Sequence, residues 1–415
     1  MTRSKFALRA TVAALVAAGM LFPAPPAVSP SKAGMDPERL ARIPVRMKAF
    51  VDKGTIAGAV TLVARHGSVA SLEAVGWQDL EARKPMRTDC MFEIASMTKP
   101  ITALGIMILM EEGKLALSDP VEKHLPEFRG MWVTDSQESD RVMKLKRPSR
   151  PITIRDVLTH TSGLYGDNGH PPVLRELGIW LGKTLAEVVA IGSQQPLLFE
   201  PGTKWSYSSI GTATLGRIIE VAGDQPFEKF MESRMFQPLG MKDTHFFPPA
   251  EKVGRIATTY VMEDGTLKPI GPDRLAGEKW RARKGVRNPV PEGGLYSTAS
   301  DLAAVYQMML NGGVYEGKRM LSRPTVDLMT SVQTGDLSVQ PGMAWGLHWS
   351  VVRDPRGAVG VPLASVGTFS HGGAYGTFGW VDPAKDLVGV FLVQRPAAND
   401  ERNAFLALAV SAIAD

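Results

Sequence analysis

A serine and a lysine three positions apart, Ser96 and Lys99, form the pattern in this chain that best suits nucleophilic chemistry. They lie where the apolar segment 101–110 begins. If this segment is an α-helix, two side chains that are three residues apart lie on the same face of it. Free N–H groups at a helix start favour negative charge near the serine, and burial favours a neutral amine that accepts the serine proton. Taken alone, the pair fits equally a capping serine beside a surface lysine.

Other signatures of hydrolases and cofactor sites are missing from the sequence. It contains neither the G-x-S-x-G turn of α/β-hydrolases nor, among its 7 histidines, the H-E-x-x-H helix of zinc hydrolases. Residues 312–318 resemble a phosphate-binding loop, but Arg319 stands where a hydroxyl is required and the segment follows a helix pattern. The sequence therefore predicts neither a metal ion nor a cofactor.

Ser96-Met-Thr-Lys99 belongs to the first of several sequence blocks that follow one another along residues 36–415. These blocks are 92–103, 111–120, 152–163, 200–209, 238–244, 293–301 and 370–373. In this order they resemble the class C β-lactamase-related serine hydrolases, which include class C β-lactamases, D-alanyl-D-alanine carboxypeptidases and family VIII esterases. The resemblance implies an α/β protein with the β-lactamase and penicillin-binding-protein-like transpeptidase fold. In that fold helices flank an antiparallel sheet, and a mostly helical insertion is added to it.

The resemblance also implies catalytic roles for residues in these blocks. Ser96 would be the acylated nucleophile, Lys99 its proton acceptor, and Tyr207 the group that shuttles protons to the leaving group. A phenol suits that task when a cation such as Lys99 lies nearby. The backbone N–H groups of Ser96 and Ala374 would form the oxyanion hole. His160 lies in another block, and we interpret it as a structural residue.

Five further positions are expected to touch the substrate. His371 is the fourth catalytic candidate, and it replaces the lysine of the family's K-T-G strand. Ser209 replaces the asparagine of the family's Y-x-N motif. Gly372 and Gly373 would let a substrate lie close against the strand. Trp345 opens a W-G-L segment that resembles an element of family VIII esterases, and it fits either the acyl pocket or the core.

The replacements at His371 and Ser209 indicate which class of substrate to expect. A histidine is mostly neutral near pH 7, so His371 offers no permanent charge to a carboxylate, and Ser209 lacks the amide that would hold a β-lactam side chain. We therefore expect hydrolysis of a small ester through an acyl-enzyme. Two alternatives stay open. One is cleavage of an amide, either a β-lactam or a D-alanyl-D-alanine peptide of the cell wall, and the other is a non-catalytic binder or sensor with the same fold.

Sequence patterns indicate two lobes that position these residues. Strand patterns near both chain ends predict a sheet lobe over about 34–125 and 286–415, and the middle, about 126–285, reads as a mostly helical lobe with few strand signals. The strand patterns are 59–64, 69–75, 378–381 and 387–393; the helix patterns of the middle are 173–193, 211–222 and 226–236. The interior of the segment 92–112, residues 101–110, is apolar nearly all round, which predicts a buried central helix.

Residues 1–33 have the pattern of an export signal. A basic start precedes the apolar stretch 10–22, which is too short to span a bilayer, and small residues follow. We expect cleavage at Ala27 or Ala33, and a periplasmic or secreted mature protein without a membrane span. The segment carries four basic residues and no acid, so it supplies +4 of the formal charge of +5. The basic run within 141–155 lacks interleaved aromatic residues, so we interpret it as a solvated loop and expect no nucleic-acid partner.

Overall fold

The computed structural model describes residues 25–139, 142–166, 182–272, 274, 276–358 and 360–415. The α-helices are α1 Pro37–Leu40, α2 Arg42–Asp52, α3 Thr98–Glu111, α4 Val121–His124, α5 Ile154–Leu158, α6 Leu185–Ser193, α7 Ser209–Gly223, α8 Phe227–Met231, α9 Ala250–Val253, α10 Glu278–Arg281, α11 Ala299–Leu310, α12 Arg323–Thr330 and α13 Asn399–Ser411. Short 3₁₀-helices are Pro30–Ala33, Ala95–Met97, Pro126–Phe128 and Pro383–Lys385, and Glu232–Phe236 is a π-helix.

Within the described residues, the strands form one large sheet and four two-stranded sheets. They are β1 Gly58–Arg65, β2 Ser68–Asp79, β3 Lys84–Pro85, β4 Phe92–Glu93, β5 Val133–Ser139, β6 Val142–Lys146, β7 Tyr260–Glu263, β8 Thr266–Pro269, β9 Tyr296–Ser297, β10 Val314–Tyr315, β11 Lys318–Arg319, β12 Met343–Trp345, β13 Ser350–Val352, β14 Phe369–Gly372, β15 Phe378–Asp382 and β16 Leu387–Leu392. The large sheet has the order β12-β13-β14-β15-β16-β1-β2-β3, and its neighbours are antiparallel.

The two ends of the chain meet in the middle of this sheet. β1 pairs with β16 in a register that places Leu62 opposite Val390. β1 and β2 form the hairpin expected from the sequence, with His66 and Gly67 both at positive φ in the turn. Because both strands of the central pair are buried along their whole length, helices must cover both faces of the sheet.

Two apolar cores lie on the two faces of the sheet. On one face α2 and α13 bury Ile43, Phe50 and Phe405 against Trp380 of β15. On the other face α11 packs on β15 and β16, and α3 packs on α7 of the helical region. Every residue of α3 from Thr98 to Leu109 is buried, so the prediction of a buried central helix is correct.

The middle of the chain contains two hairpins that the sequence patterns did not predict. β5 pairs with β6, so Lys144 and Lys146 lie on a strand rather than in the solvated loop that we expected. The alternation of Met143 and Leu145 with these lysines was the missed signal, because charged residues obscured it. β7 pairs with β8 around Asp264-Gly265, which are both at positive φ, as a two-residue hairpin turn requires.

The described fold begins before residue 34. Val28 donates its N–H to the Val69 carbonyl at 3.0 Å, and Val69 donates to the Pro26 carbonyl at 2.9 Å. Ala33 is fully buried against the core that lies under α2 and α13. Cleavage after Ala33 would remove these contacts, whereas cleavage upstream of Pro25 would keep them. The basic start and the apolar stretch of the expected signal lie outside the described residues, as does helix pattern 173–193 up to residue 181.

Candidate active site

Ser96 lies in a tight turn between strand β4 and helix α3. It is the middle residue of the 3₁₀-helix Ala95–Met97, which leads directly into α3. The preceding residue, Ala95, has a φ of 45°, a left-handed conformation that costs about 1–2 kcal/mol for a residue with a side chain. Ile94 donates its N–H to the Leu295 carbonyl at 3.0 Å, beside the β4–β9 pair. The strained turn therefore rests on a fixed backbone.

Lys99 reaches back from the first turn of α3 to Ser96, as the spacing predicted. Its Nζ lies 3.1 Å from Ser96 Oγ, 3.2 Å from Ser209 Oγ and 2.9 Å from the Glu292 carbonyl oxygen. The side chain is 1% exposed, so these three oxygens replace the water that an amine would otherwise bind. The geometry excludes the alternative of a surface lysine.

Tyr207 and Ser209 enter the site from the start of α7. Ser208 caps this helix by accepting the Gly211 N–H at 3.1 Å, and its hydroxyl donates to the Tyr165 carbonyl at 2.8 Å. Ser209 is the first helical residue and presents its hydroxyl to Lys99. The Tyr207 ring centre lies 4.7 Å from Lys99 Nζ, a cation–π distance when the amine is charged. The cap thus fixes both side chains beside Lys99.

The end of strand β14 runs against the turn that carries Ser96. A Cβ on Gly373 would lie 2.4 Å from the Ile94 carbonyl oxygen and 2.1 Å from Thr377 Oγ1, so only glycine fits there. Thr377 Oγ1 in turn donates to the Ile94 carbonyl at 3.1 Å. Ala374 follows in an exposed turn. This close approach agrees with the expected oxyanion hole of Ser96 and Ala374, whose role stays a prediction.

His371 is buried on β14 in a single tautomer. Its Nδ1 lies 2.8 Å from the Gly372 carbonyl oxygen, which can only accept, so Nδ1 carries the hydrogen and Nε2 keeps a lone pair. Burial, and then the nearby Lys99, lower the pKa of His371 to about 3. The ring is therefore neutral at physiological pH, which agrees with the sequence argument against a permanent positive charge at this position.

Five ring side chains pack together on one side of the site. We call this surface the aromatic wall, and its members are His160, Trp205, Tyr207, Trp345 and His348. The His160 ring lies 4.6 Å from Tyr207, 5.3 Å from Trp345 and 4.7 Å from His348, measured between ring centres. Trp345 also lies 5.3 Å from Trp205 and 5.7 Å from His371. Trp345 is 6% exposed and so belongs to the core and the site at once.

The two histidines of the wall are fixed by unusual backbone conformations. His160 and His348 have φ of 58° and 61°, and both are buried. His160 Nδ1 accepts the Ser208 N–H at 3.2 Å, and His348 Nε2 lies 3.1 Å from Thr212 Oγ1. Burial lowers the pKa of each well below the usual value, so both rings are neutral. The ring of His160 contacts Tyr207, and its interpretation as a structural residue stays a prediction.

Sequence reasoning did not identify Trp205 or His348 as part of the site. Both stand within three residues of a predicted site residue, Tyr207 and Trp345 respectively. That proximity was the available signal, but a loop spacing does not tell which side chains converge. The predicted residues Ser96, Lys99, Tyr207, Ser209 and His371 do converge, and Gly372 and Gly373 adjoin them at the end of β14.

The described ranges contain no cluster of three or more histidine, cysteine or carboxylate side chains close enough together to hold a metal ion. Within the same ranges, the helices are too short or too polar for a membrane span.

Comparison with known proteins gives consistent results over most of the chain. The Beta-lactamase family model matches residues 46–412. Esterase EstB of Burkholderia gladioli is 33% identical over 383 residues, which cover 84% of this chain and 89% of that protein. A putative D-alanyl-D-alanine carboxypeptidase of Salmonella typhimurium is 28% identical over 419 residues, covering 94% and 91%.

The fold has a similar relative of known structure. EstCE1, described as a hydrolase with promiscuous acyltransferase activity, superposes with a TM-score of 0.77. It is 26% identical, and the match covers 91% of this chain and 98% of EstCE1. The predicted fold, an antiparallel sheet flanked by helices, is confirmed by this similarity and by the observed strand order.

Proposed function

Because this chain belongs to the Beta-lactamase family of serine hydrolases, we propose that it is an exported esterase that cleaves small carboxylic esters through an acyl-enzyme on Ser96. The observation that carries this choice is the neutral, buried His371 in place of the family's lysine. EstB and EstCE1 support an ester-cleaving role, since their descriptions are those of an esterase and a hydrolase.

In the acylation step, Ser96 Oγ bonds to the ester carbonyl carbon while its proton passes to Lys99 Nζ. Lys99 Nζ lies within hydrogen-bond distance of Ser96 Oγ, Ser209 Oγ and the Glu292 carbonyl oxygen, so as a neutral amine it can take the Ser96 proton while the other two oxygens hold it in place. The backbone N–H groups of Ser96 and Ala374 stabilise the oxyanion, where one donor is typically worth about 3 kcal/mol of barrier.

In the second half of acylation, the C–O bond of the tetrahedral intermediate breaks and the alcohol leaves with a proton delivered through Tyr207. The charged Lys99 lies over the Tyr207 ring, so it stabilises the phenolate while the proton is transferred. Water then attacks the acyl carbon and gives its proton back along the same path. The products are a carboxylic acid and an alcohol, and Ser96 returns to its starting state.

The two side chains that replace the family's lysine and asparagine favour an ester over an amide substrate that carries a carboxylate. A β-lactam or a D-alanyl-D-alanine peptide carries a carboxylate, which gains most from a permanent cation in a buried site. His371 has no such charge at neutral pH. Ser209 uses its hydroxyl on Lys99 and supplies no amide group.

The first experiment measures hydrolysis of p-nitrophenyl butyrate by the wild type, Ser96→Ala and Ser136→Ala. Ser136 is an exposed serine on strand β5, outside the expected export signal, so Ser136→Ala is a matched control. We expect loss of turnover and of fluorophosphonate labelling only in Ser96→Ala. Undiminished activity of Ser96→Ala would contradict the proposal.

A second comparison assigns the substrate class. One preparation is assayed with p-nitrophenyl butyrate, nitrocefin and a D-alanyl-D-alanine peptide, and we expect the ester to have the highest kcat/KM. Faster turnover of either amide would replace the esterase proposal by the corresponding amidase. Export is tested separately by cell fractionation with N-terminal sequencing, and recovery of the protein only from the cytoplasm with Met1 intact would contradict it.

A further inference from the structure

Three alanines in the described part of the chain have a left-handed backbone conformation, and two of them lie beside the nucleophile. Ala95 and Ala276 have φ of 45° and 68°, and Ala397 has a φ of 57°. Glycine adopts this conformation freely, whereas the Cβ of an alanine is crowded by the backbone. A strained alanine that is buried next to a reacting group indicates that its methyl group has a function there.

The methyl groups of Ala95 and Ala276 belong to one small apolar cluster with the side chain of Tyr375. Ala95 is 2% exposed, Ala276 1% and Tyr375 7%. Ile270, the residue after strand β8, packs against the cluster and is partly buried. The cluster is separate from the two large cores on the faces of the sheet. Its contacts are therefore local to the turn that carries Ser96.

Two members of the cluster are the chain neighbours of the expected oxyanion donors. Ala95 shares a peptide bond with Ser96, so its Cα lies in the same peptide plane as the Ser96 N–H. Tyr375 directly follows Ala374, whose N–H is the second expected donor. The two donors come from segments that are far apart in the sequence, and the cluster packs these segments together with Ala276. The packing of the cluster thus affects the separation of the two donors.

The segments that meet in the cluster are tied to Gln394 and Arg395, just after strand β16. Arg395 donates its N–H to the Tyr375 carbonyl at 2.8 Å, and the Gln394 side chain donates to the Glu93 carbonyl on β4 at 3.1 Å. The Gln394 carbonyl accepts the N–H of Tyr260 on β7 at 2.9 Å. These bonds bring the three segments together, and the side chains of the cluster determine how closely the segments approach.

The turn that contains Ala276 does not itself require a methyl group. In this turn the Arg274 carbonyl accepts the Gly277 N–H at 2.7 Å, and a Cβ on Gly277 would collide with the Gly271 carbonyl oxygen, so only glycine fits there. At Ala276 glycine would relieve the backbone, yet a side chain is present and buried. The turn alone would be more stable with glycine at both positions.

We propose that Ala276 and Tyr375 are positioning residues for the oxyanion hole, and that their side chains fix the separation of the Ser96 and Ala374 N–H groups. This inference rests on the proposed esterase function and adds two residues that act through the backbone donors. When one donor moves away from the oxyanion, it weakens a hydrogen bond that is strongest in the transition state. Loss of the cluster therefore lowers kcat and leaves KM nearly unchanged.

The test compares Ala276→Gly with Ala397→Gly as its matched control. Both variants replace an alanine at positive φ by glycine, but Ala397 is exposed and lies outside the cluster. With p-nitrophenyl butyrate we expect kcat of Ala276→Gly to fall about tenfold, since loss of a whole donor costs about 10²- to 10³-fold. KM of this variant and both constants of Ala397→Gly should stay near the wild type. Relief of the strained backbone offsets the lost methyl contact, so both variants should melt near the wild-type temperature.

Butylboronic acid gives a readout that a merely structural role would not change. Its boron bonds to Ser96 Oγ while the serine proton passes to Lys99, and one oxygen of the tetrahedral adduct occupies the oxyanion hole. We expect its inhibition constant to rise about tenfold in Ala276→Gly, in parallel with the loss of kcat. Tyr375→Phe keeps the ring and should bind the boronate like the wild type, whereas Tyr375→Ala should bind it about 30-fold more weakly.

Two results would overturn the inference and leave the esterase proposal intact. One is Ser96-dependent hydrolysis by Ala276→Gly with the kcat and the boronate inhibition constant of the wild type. The other is an equal loss in Ala276→Gly and Ala397→Gly, which would assign the effect to backbone freedom. If Ala276→Gly does not fold, the Tyr375 variants decide, and equal kcat values of Tyr375→Phe and Tyr375→Ala overturn the inference. If the wild type does not hydrolyse the ester, the esterase proposal fails and the inference fails with it.

Discussion

On the nucleophile side of the site, formed by Ser96, Lys99 and Ser209, hydrogen bonds connect all three side chains, and Lys99 contacts three oxygens. On the aromatic wall, four ring nitrogens are buried without a hydrogen-bond partner among the described residues. They are His160 Nε2, Trp205 Nε1, Trp345 Nε1 and His348 Nδ1. Both sides are largely buried, but they differ in how many of their polar atoms have a hydrogen-bond partner.

This difference suggests a division of labour. Groups that act on every substrate must be held in place before it arrives, and the hydrogen bonds of Lys99 do so. Unpartnered nitrogens next to the site are instead free to bind water or polar atoms of a substrate. We therefore expect changes on the nucleophile side to slow all esters alike, and changes on the aromatic wall to depend on the ester.

Replacement of Lys99 tests the nucleophile side with the largest expected effect. Lys99→Met keeps the length of the side chain but removes the proton acceptor, so we expect kcat/KM to fall by about 10⁴-fold, at the upper end for general base catalysis. The loss should be the same for glyceryl 1-monobutyrate and 2-methylbutyl butyrate. Loss that differs between these esters would show that Lys99 also selects substrates, and the comparison of the two sides would fail.

Tyr207 stands where the two sides meet, since its ring lies near both Lys99 and His160. Tyr207→Phe keeps the ring and removes the hydroxyl, so we expect kcat/KM to fall by about 10²- to 10³-fold for alkyl esters. For p-nitrophenyl esters the loss should be smaller, because this leaving group departs without a proton. Equal losses for both kinds of ester would contradict a role in leaving-group protonation.

Gly373 couples the strand end to the nucleophile turn. In Gly373→Ala the new Cβ would collide with the Ile94 carbonyl oxygen and Thr377 Oγ1, so the strand must move away from the turn that carries Ser96. We expect a loss of about 30-fold in kcat, since removal of one oxyanion donor alone costs up to 10²- to 10³-fold. Gly372→Ala is the matched control, because its nearest contact would be an ordinary 3.4 Å to the Phe378 ring. Equal losses in both variants would contradict this account.

The part of the site that lies on one short segment could be predicted from the sequence. Ser96 and Lys99 are three residues apart on one helix, so their contact follows from local geometry. Tyr207 and His371 were assigned through the resemblance, and the structure brings them to the same place. The sheet was predictable because β1, β2, β15 and β16 are apolar runs with turn residues between them.

Other features depended on contacts that no local pattern encodes. His348 joins the site because β12 and β13 lie beside β14, and Trp205 joins it because the loop before α7 folds over Trp345. The structure also has contacts before residue 34, where we predicted the domain to start, and the pairing of Ala27 with Val69 lies outside any periodic pattern. In the sequence, small residues before a helix look the same whether they are cleaved off with an export signal or packed in the folded protein.

The buried histidines next to the site predict a dependence of stability on pH. The folded-state pKa values of His160, His348 and His371 are lowered by burial, so the unfolded chain binds protons more readily below its own histidine pKa of about 6.5. The contribution of these histidines to the free energy of unfolding is therefore at its maximum above pH 6.5 and decreases as the pH is lowered. Asp301, whose pKa burial raises to about 6, takes up a proton in the folded state and opposes this loss with one group.

Replacement of one of these histidines gives the smallest expected effect. We expect His348→Gln to reduce the slope of unfolding free energy against pH by up to about 1.4 kcal/mol per unit between pH 6.5 and 5, because one proton no longer distinguishes the two states. Urea denaturation at three pH values measures this slope, and His66→Gln, an exposed histidine, is the matched control. Above pH 5 the titration of ordinary carboxylates is nearly complete, so they contribute little to the change. An unchanged slope in His348→Gln would mean that His348 is protonated in the folded state, and the aromatic wall would then carry a positive charge.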